Sequence, residues 1–143
     1  MFALQEFELY EDEGLVLAVP FGLDGGTEGA TYEEAAEMAA DWLRGELEHR
    51  MMEGRPAPTT GMGHEPAHGG RVLLVGVDAS LDDVPSVSAS EAAAALGVSR
   101  ARVSQMLASG MLEGWRDGRN TRVTATSLDA RLSERRAVQA VTA

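Results

Sequence analysis

The chain has 143 residues, the length of one ordinary domain or two small ones. It carries 12 arginines and no lysine against 23 Asp and Glu, a formal charge of −11, and its 44% of apolar residues can bury a core, which argues against general disorder. The absence of cysteine excludes disulfides, thiolate metal sites and cysteine nucleophiles; no apolar run approaches the ~18 residues of a membrane-crossing helix. The opening Met1-Phe2-Ala3-Leu4-Gln5-Glu6 lacks the basic stretch of a signal peptide, so a soluble, cytoplasmic protein without membrane contact is expected.

Phe2 to Tyr10 is aromatic and apolar and predicts a strand. Glu11-Asp12-Glu13-Gly14 predicts a turn, and Leu15 to Val19 a second strand that closes a hairpin. Pro20 to Gly29, with four glycines and one proline, predicts a loop or a short bent edge strand. A long helix follows: Thr31 and Glu34 have capping-box spacing. Ala35, Met38, Ala39, Trp42, Leu43, Leu47 and Met51 recur three and four apart as an apolar stripe, and Gly54 and Pro56 end the helix. Residues 55–70 lack periodicity and predict an exposed, mobile loop, and Arg71 to Val77 is a third strong strand. Strand, strand, helix, strand implies a small sheet with the helix across one face.

Charge splits along the same line. Residues 1–85 hold eighteen carboxylates and four arginines, a formal −14, whereas residues 86–143 hold eight arginines and five carboxylates, +3. This asymmetry predicts two modules with different partners, the acidic one repelling nucleic acid and the basic one able to bind it. Their boundaries are expected at 1–80 and 88–143, with 81–87 as a hinge.

The basic module reads as short elements. Ser88 and Glu91 cap a first helix, Gly97-Val98-Ser99 turns the chain, and Ser99 caps a second helix from Arg100 to Ser109, with Gly110 at its end. Two short helices around a glycine-containing turn form a helix-turn-helix pattern, in which Ala92, Ala93, Leu96, Val98, Val103 and Met106 fall where the helices must pack. The outward start of the second helix then carries Ser99, Arg100, Arg102, Ser104 and Gln105, groups suited to base edges and phosphates of operator DNA. Leu112 to Trp115 and Arg122 to Thr124 predict a hairpin around residues 116–120. Trp115 is expected to pack beneath it. Thr126 and Asp129 are expected to start a last helix carrying Leu128, Leu132 and Val138.

The segment VSASEAAAALGVSRARVSQMLASGMLEGWRDGRNTRVTATSLDARL resembles the winged helix-turn-helix of MerR- and excisionase-type DNA-binding domains. That resemblance implies that Arg116, Arg119, Asn120 and Arg122 form a wing touching the DNA backbone or minor groove. The segment YEDEGLVLAVPFGLDGGTEGATYEEAAEMAADWL resembles the N-terminal domain of HicB-type antitoxins, with its partial RNase H-like fold. The matching elements are the acidic turn before Leu15, Pro20, Gly26-Thr27, Gly29-x-Thr31 and Glu33-Glu34-Ala35; with the strand Arg71–Val77 the likeness spans about residues 2–80. It implies an antitoxin that neutralises a small, basic HicA-like ribonuclease and represses its own operon. A −14 module suits a basic partner, and contact is expected around Glu11, Asp12, Glu13, Asp24 and Glu28. A solvated acidic face is the plainer reading of the same residues.

Other signals are set aside. His64-Glu65-Pro66-Ala67-His68 matches H-E-x-x-H, but flanking glycines and Pro66 preclude the helix that zinc chemistry needs. A two-metal nuclease would require Glu6, Glu8, Glu37, Asp41 and Asp78 to converge. Serine catalysis has no supporting motif. No catalytic residue, metal or cofactor is therefore expected. The fold class expected is α+β: a small antiparallel sheet with one long helix, followed by a mostly helical winged helix-turn-helix domain. The function expected is that of an antitoxin and repressor, acting as a homodimer or homotetramer on DNA. A stand-alone transcription regulator without a toxin is the main alternative, and a metal-dependent nuclease the third.

Overall fold

β1 (Phe2–Asp12) and β2 (Leu15–Pro20) pair from Phe7↔Pro20 to Asp12↔Leu15, which leaves Glu13 and Gly14 alone in the loop. Both have positive φ, 50° and 83°, as a tight hairpin of the primed type requires. The turn is thus half as long as the expected four residues, and Glu11 and Asp12 belong to the ladder. In the computed structural model, which describes residues 1–142, the chain divides into two units between Leu81 and Asp82. Ala143, the last residue of the region expected to bind DNA, lies outside the described residues.

In the first unit β3 (Thr27–Gly29), α1 (Tyr32–Met52) and β4 (Arg71–Asp78) complete a four-stranded antiparallel sheet in the order β3-β2-β1-β4. Ala35, Ala39, Leu43 and Leu47 of α1 are fully buried against Ala3, Phe7, Leu9, Val16, Ala18, Val75 and Val77. Trp42 and Met51 pack at the edge of this core, and Phe7 meets the Trp42 ring edge-on at 5.9 Å. Met38, expected in the stripe, is 39% exposed. Its position lies on the flank of the helix that the narrow sheet does not reach.

Thr31 Oγ1 accepts the Glu34 amide at 3.1 Å, as the capping box predicts, but the Glu34 carboxylate accepts from Ala30 rather than from Thr31. Gly29 serves a purpose other than a turn. A Cβ there would lie 2.5 Å from the Ala35 nitrogen, so glycine lets the edge strand run against the first turn of α1.

The second unit begins earlier than expected. Ser86–Ser88, placed largely in the hinge by its sequence, forms β5, and pairs with β7 (Asn120–Thr124), which also pairs with β6 (Gly114–Asp117). α2 (Ala89–Leu96), α3 (Arg100–Ala108) and α4 (Ala125–Thr142) complete it. Ala92, Ala93, Leu96, Val103, Met106, Leu112, Val123 and Leu128 form its core, with Val98, Leu107 and Leu132 against them. α4 is capped by Thr124, whose Oγ1 accepts the Ser127 amide at 3.2 Å, not by Thr126 with Asp129. Val138 is 63% exposed, because α4 continues past the short elements able to cover it. Among the described residues no helix is long and apolar enough to cross a membrane. Over the described residues the architecture is mixed α+β, with a four-stranded antiparallel sheet, a three-stranded sheet and four α-helices.

Candidate nucleic-acid interface

The turn between α2 and α3 is built by backbone geometry. Gly97 adopts a left-handed conformation (φ 67°), its amide bonds to the Ala94 carbonyl, and the Val98 amide reaches the Ala93 carbonyl at 3.0 Å. This double bond closes α2 as a Schellman motif, and Val98 folds back onto the core. The Ser99 hydroxyl then accepts the Arg102 amide at 3.1 Å and starts α3. Burial of Val103 and Met106 fixes the rotation of α3, and that rotation leaves Arg100, Arg102, Ser104 and Gln105 exposed along its start. The Arg102 guanidinium extends beside Gln105 (3.5 Å) and the Met111 sulfur (3.9 Å).

The hairpin after α3 turns on Gly118 (φ 62°) and Arg119, with Asp117 opposite Asn120. Arg116, Arg119 and Asn120 are exposed at its tip. Gly114 lets β6 lie flat: a Cβ would strike the Arg122 carbonyl and the Leu107 side chain. Register settles two further residues. Gly114 opposes buried Val123, so Trp115 and Arg122, which oppose each other, occupy the other face of the sheet. Trp115, expected to pack beneath the hairpin, is half-buried on that face and stands outside the core cluster of the unit. Arg122 donates from Nε to the Ser86 hydroxyl and from Nη2 to the Ser86 carbonyl, each at 3.0 Å, and so ties β7 to β5. The Ser99 hydroxyl is likewise engaged as a cap.

In the first unit Glu11, Asp12 and Glu13 line an open groove with Leu15, Val16 and Ala30, and Glu28 is exposed on edge strand β3. Asp24 is exposed in the loop before β3, outside that groove.

Glu6 and Glu8 point to the sheet face opposite α1, whereas Glu37 and Asp41 are exposed on the helix and Asp78 sits beside the N-terminal amine at 3.5 Å. These five carboxylates are divided by the sheet. Among the described residues no three His, Asp or Glu side chains are grouped as a metal would need.

A third arrangement escaped the sequence reading. Residues 60–70 lie across the outer face of β1 as a strap and have specific partners there. Glu6 Oε1 accepts the His64 amide at 3.0 Å and lies 2.7 Å from the His64 ring Nδ1. Glu8 accepts the amides of Ala67 (2.8 Å), His68 (2.8 Å) and Gly70 (3.0 Å), with His68 Nδ1 at 3.2 Å. His64 stacks on Phe21 at 4.6 Å and His68 on Tyr10 at 4.2 Å. Amide and ring hydrogen bonds from His64 hold the Glu6 carboxyl below its ordinary range. Burial pushes the Glu8 carboxyl up, but donation from Gly70, His68 and Ala67 outweighs it and the net shift is also downward. The usable signal was the alternation Glu6-Phe7-Glu8 inside an apolar strand, because charged residues in a strand interior call for partners.

Comparison of the chain with protein-family models, with curated proteins and with solved structures finds no match.

Proposed function

We propose that the C-terminal unit is a winged helix-turn-helix that binds operator DNA, with the start of α3 in the major groove and the β6–β7 hairpin as the wing. The observation that carries this reading is the outward array Arg100, Arg102, Ser104 and Gln105 on a helix whose other face is locked into a core. Arg116, Arg119 and Asn120 at the hairpin tip extend it toward the backbone. Ser99 and Arg122 leave the contact set, since capping and the Ser86 bonds already engage them. A module of this size buries only ~600–1,000 Å² on DNA, so two or four copies on two-fold related half-sites are expected.

The test is a salt titration of binding to the DNA upstream of the protein's own reading frame. Arg102→Ala should cost ~1–3 kcal/mol and relax base preference, whereas Arg119→Ala should mainly lower the salt slope by about one. Wild-type behaviour in both variants would refute the placement of α3 and the wing.

The reading extends to the acidic unit, whose sequence resembles HicB-type antitoxins: a cytoplasmic antitoxin that masks a small basic HicA-like ribonuclease and represses its operon. Support comes from the acidic groove at Glu11, Asp12 and Glu13 beside the β3 edge that carries Glu28. Expression of the short reading frames flanking the gene, alone and with this protein, is the test. Toxicity relieved by this protein is the expected result. No toxicity from either neighbour would leave a stand-alone regulator.

A further inference from the structure

The strap, the two buried glutamates and the two histidines take no part in the DNA-binding or antitoxin reading, yet they form a hydrogen-bonded polar cluster on the outer face of β1. We propose that residues 60–70 are a detachable strap whose closure over the sheet depends on the ionised carboxylates of Glu6 and Glu8, so that acid releases it while the sheet stays folded.

The strap directs its hydrogen bonds at two side chains of β1. Four of its amides (His64, Ala67, His68 and Gly70) and both of its imidazoles converge on two carboxylates. The Glu6 and Glu8 side chains are only 10% and 3% exposed, so water cannot substitute for those donors while the strap is closed. Both oxygens of Glu8 already accept, Oε1 from Ala67 and His68 and Oε2 from His68 and Gly70. Protonating either oxygen turns an acceptor into a donor aimed at other donors and removes the charge that strengthens the remaining bonds. What then holds the strap is the Thr60–Gln5 bond (2.7 Å) and two ring stacks. The core that holds the sheet together lies on its other face, under α1, and draws on no residue of the strap.

Few other charges bear on the pair. From β1 the outer face presents Tyr10 and, at the hairpin end, Asp12; from the strap, His64, His68 and exposed Glu65; β2 adds Leu15, Leu17 and Val19, and β4 adds Val72 and Leu74 before Asp78 at its far end. β3 adds the Glu28 carboxylate, opposite Leu17. The sign follows from linkage. Both carboxyls sit below their reference value of 4.5, so closure is fully favoured above that pH and is lost as pH falls through the lowered values. Release uncovers Glu6, Glu8, Tyr10 and Phe21. The face they occupy continues into exposed Phe2, Leu4 and Leu74.

Amide hydrogen exchange of the full chain from neutral pH to about pH 3, read as protection factors, tests this. Protection at His64, Ala67, His68 and Gly70 should fall about tenfold or more below pH 4.5, while hydrogen-bonded amides of the β1–β4 ladder keep theirs. Glu8→Gln should release Ala67, His68 and Gly70 at neutral pH, and Glu6→Gln only His64. Strap amides protected throughout the range, or lost in step with the ladder, would overturn the proposal. Wild-type protection in Glu6→Gln and Glu8→Gln would do the same. If Glu8→Gln does not fold, the wild-type titration and Glu6→Gln decide it.

Discussion

The central strand of the first unit and the surface of the second treat their polar residues in opposite ways. In the first, Gln5, Glu6 and Glu8 point out of the central strand and are buried, and every one is consumed internally: Gln5 by the Phe21 carbonyl and Thr60, the glutamates by the strap. In the second, Arg100, Arg102, Arg116 and Arg119 stand outside a core made of alanines and a few larger residues, while Arg122 and Arg135 are drawn into the fold by Ser86 and by the Leu96 carbonyl. A buried charge must be matched by fixed donors, which makes it structural. An exposed one costs nothing to leave unmatched and stays available to a partner. In the first unit that leaves the exposed Glu11, Asp12, Glu13, Asp24 and Glu28, and in the second the exposed arginines of α3 and the β6–β7 tip.

If the units differ in this way, damage to one core should spare the other. Phe7→Ala empties a fully buried position beside Trp42 and should cost ~3–5 kcal/mol of the first unit's stability. In a denaturant titration followed residue by residue, the second unit should keep its midpoint. A common shift would mean that the units unfold as one and the comparison fails. Gly29→Ala is the next largest. The added Cβ meets the backbone at Ala35 rather than a side chain that can turn away, and ~1–3 kcal/mol should be lost, again from the first unit alone. The smallest effect sharpens the other side: Ser99→Ala deletes the α3 cap and should lower the second unit's stability by ~1 kcal/mol, measured as a fall in Tm of that unit. Losing DNA affinity without losing Tm in Ser99→Ala would instead make its hydroxyl a direct contact.

Local chemistry was readable from spacing. The caps at Thr31, Ser88 and Ser99 are side-chain to backbone bonds three residues long, and the left-handed Gly97 needs only its own missing Cβ. The packing set of α2 and α3 was readable for the same reason, since helical periodicity decides which residues can face each other. The capping of α4 misled because Thr124 and Thr126 are equally good caps in sequence, and only the end of β7 chooses between them. The face that Trp115 and Arg122 share was not readable, because the face a strand residue occupies depends on which partner it is registered against.

The sequence by itself determined the helices and long strands, the caps at Thr31, Ser88 and Ser99, the charge division between the halves and the outward start of α3. Tertiary structure alone decided the rest. Ser86–Ser88 became a strand only because β7 returned beside it, Gly29 became necessary only because α1 folded over the edge strand, and the strap acquired partners 58 to 62 residues away on β1. Contacts of that range are set by how the sheet closes, and their donors carry no local signal: an amide that will meet a buried carboxylate looks in sequence like any other loop amide.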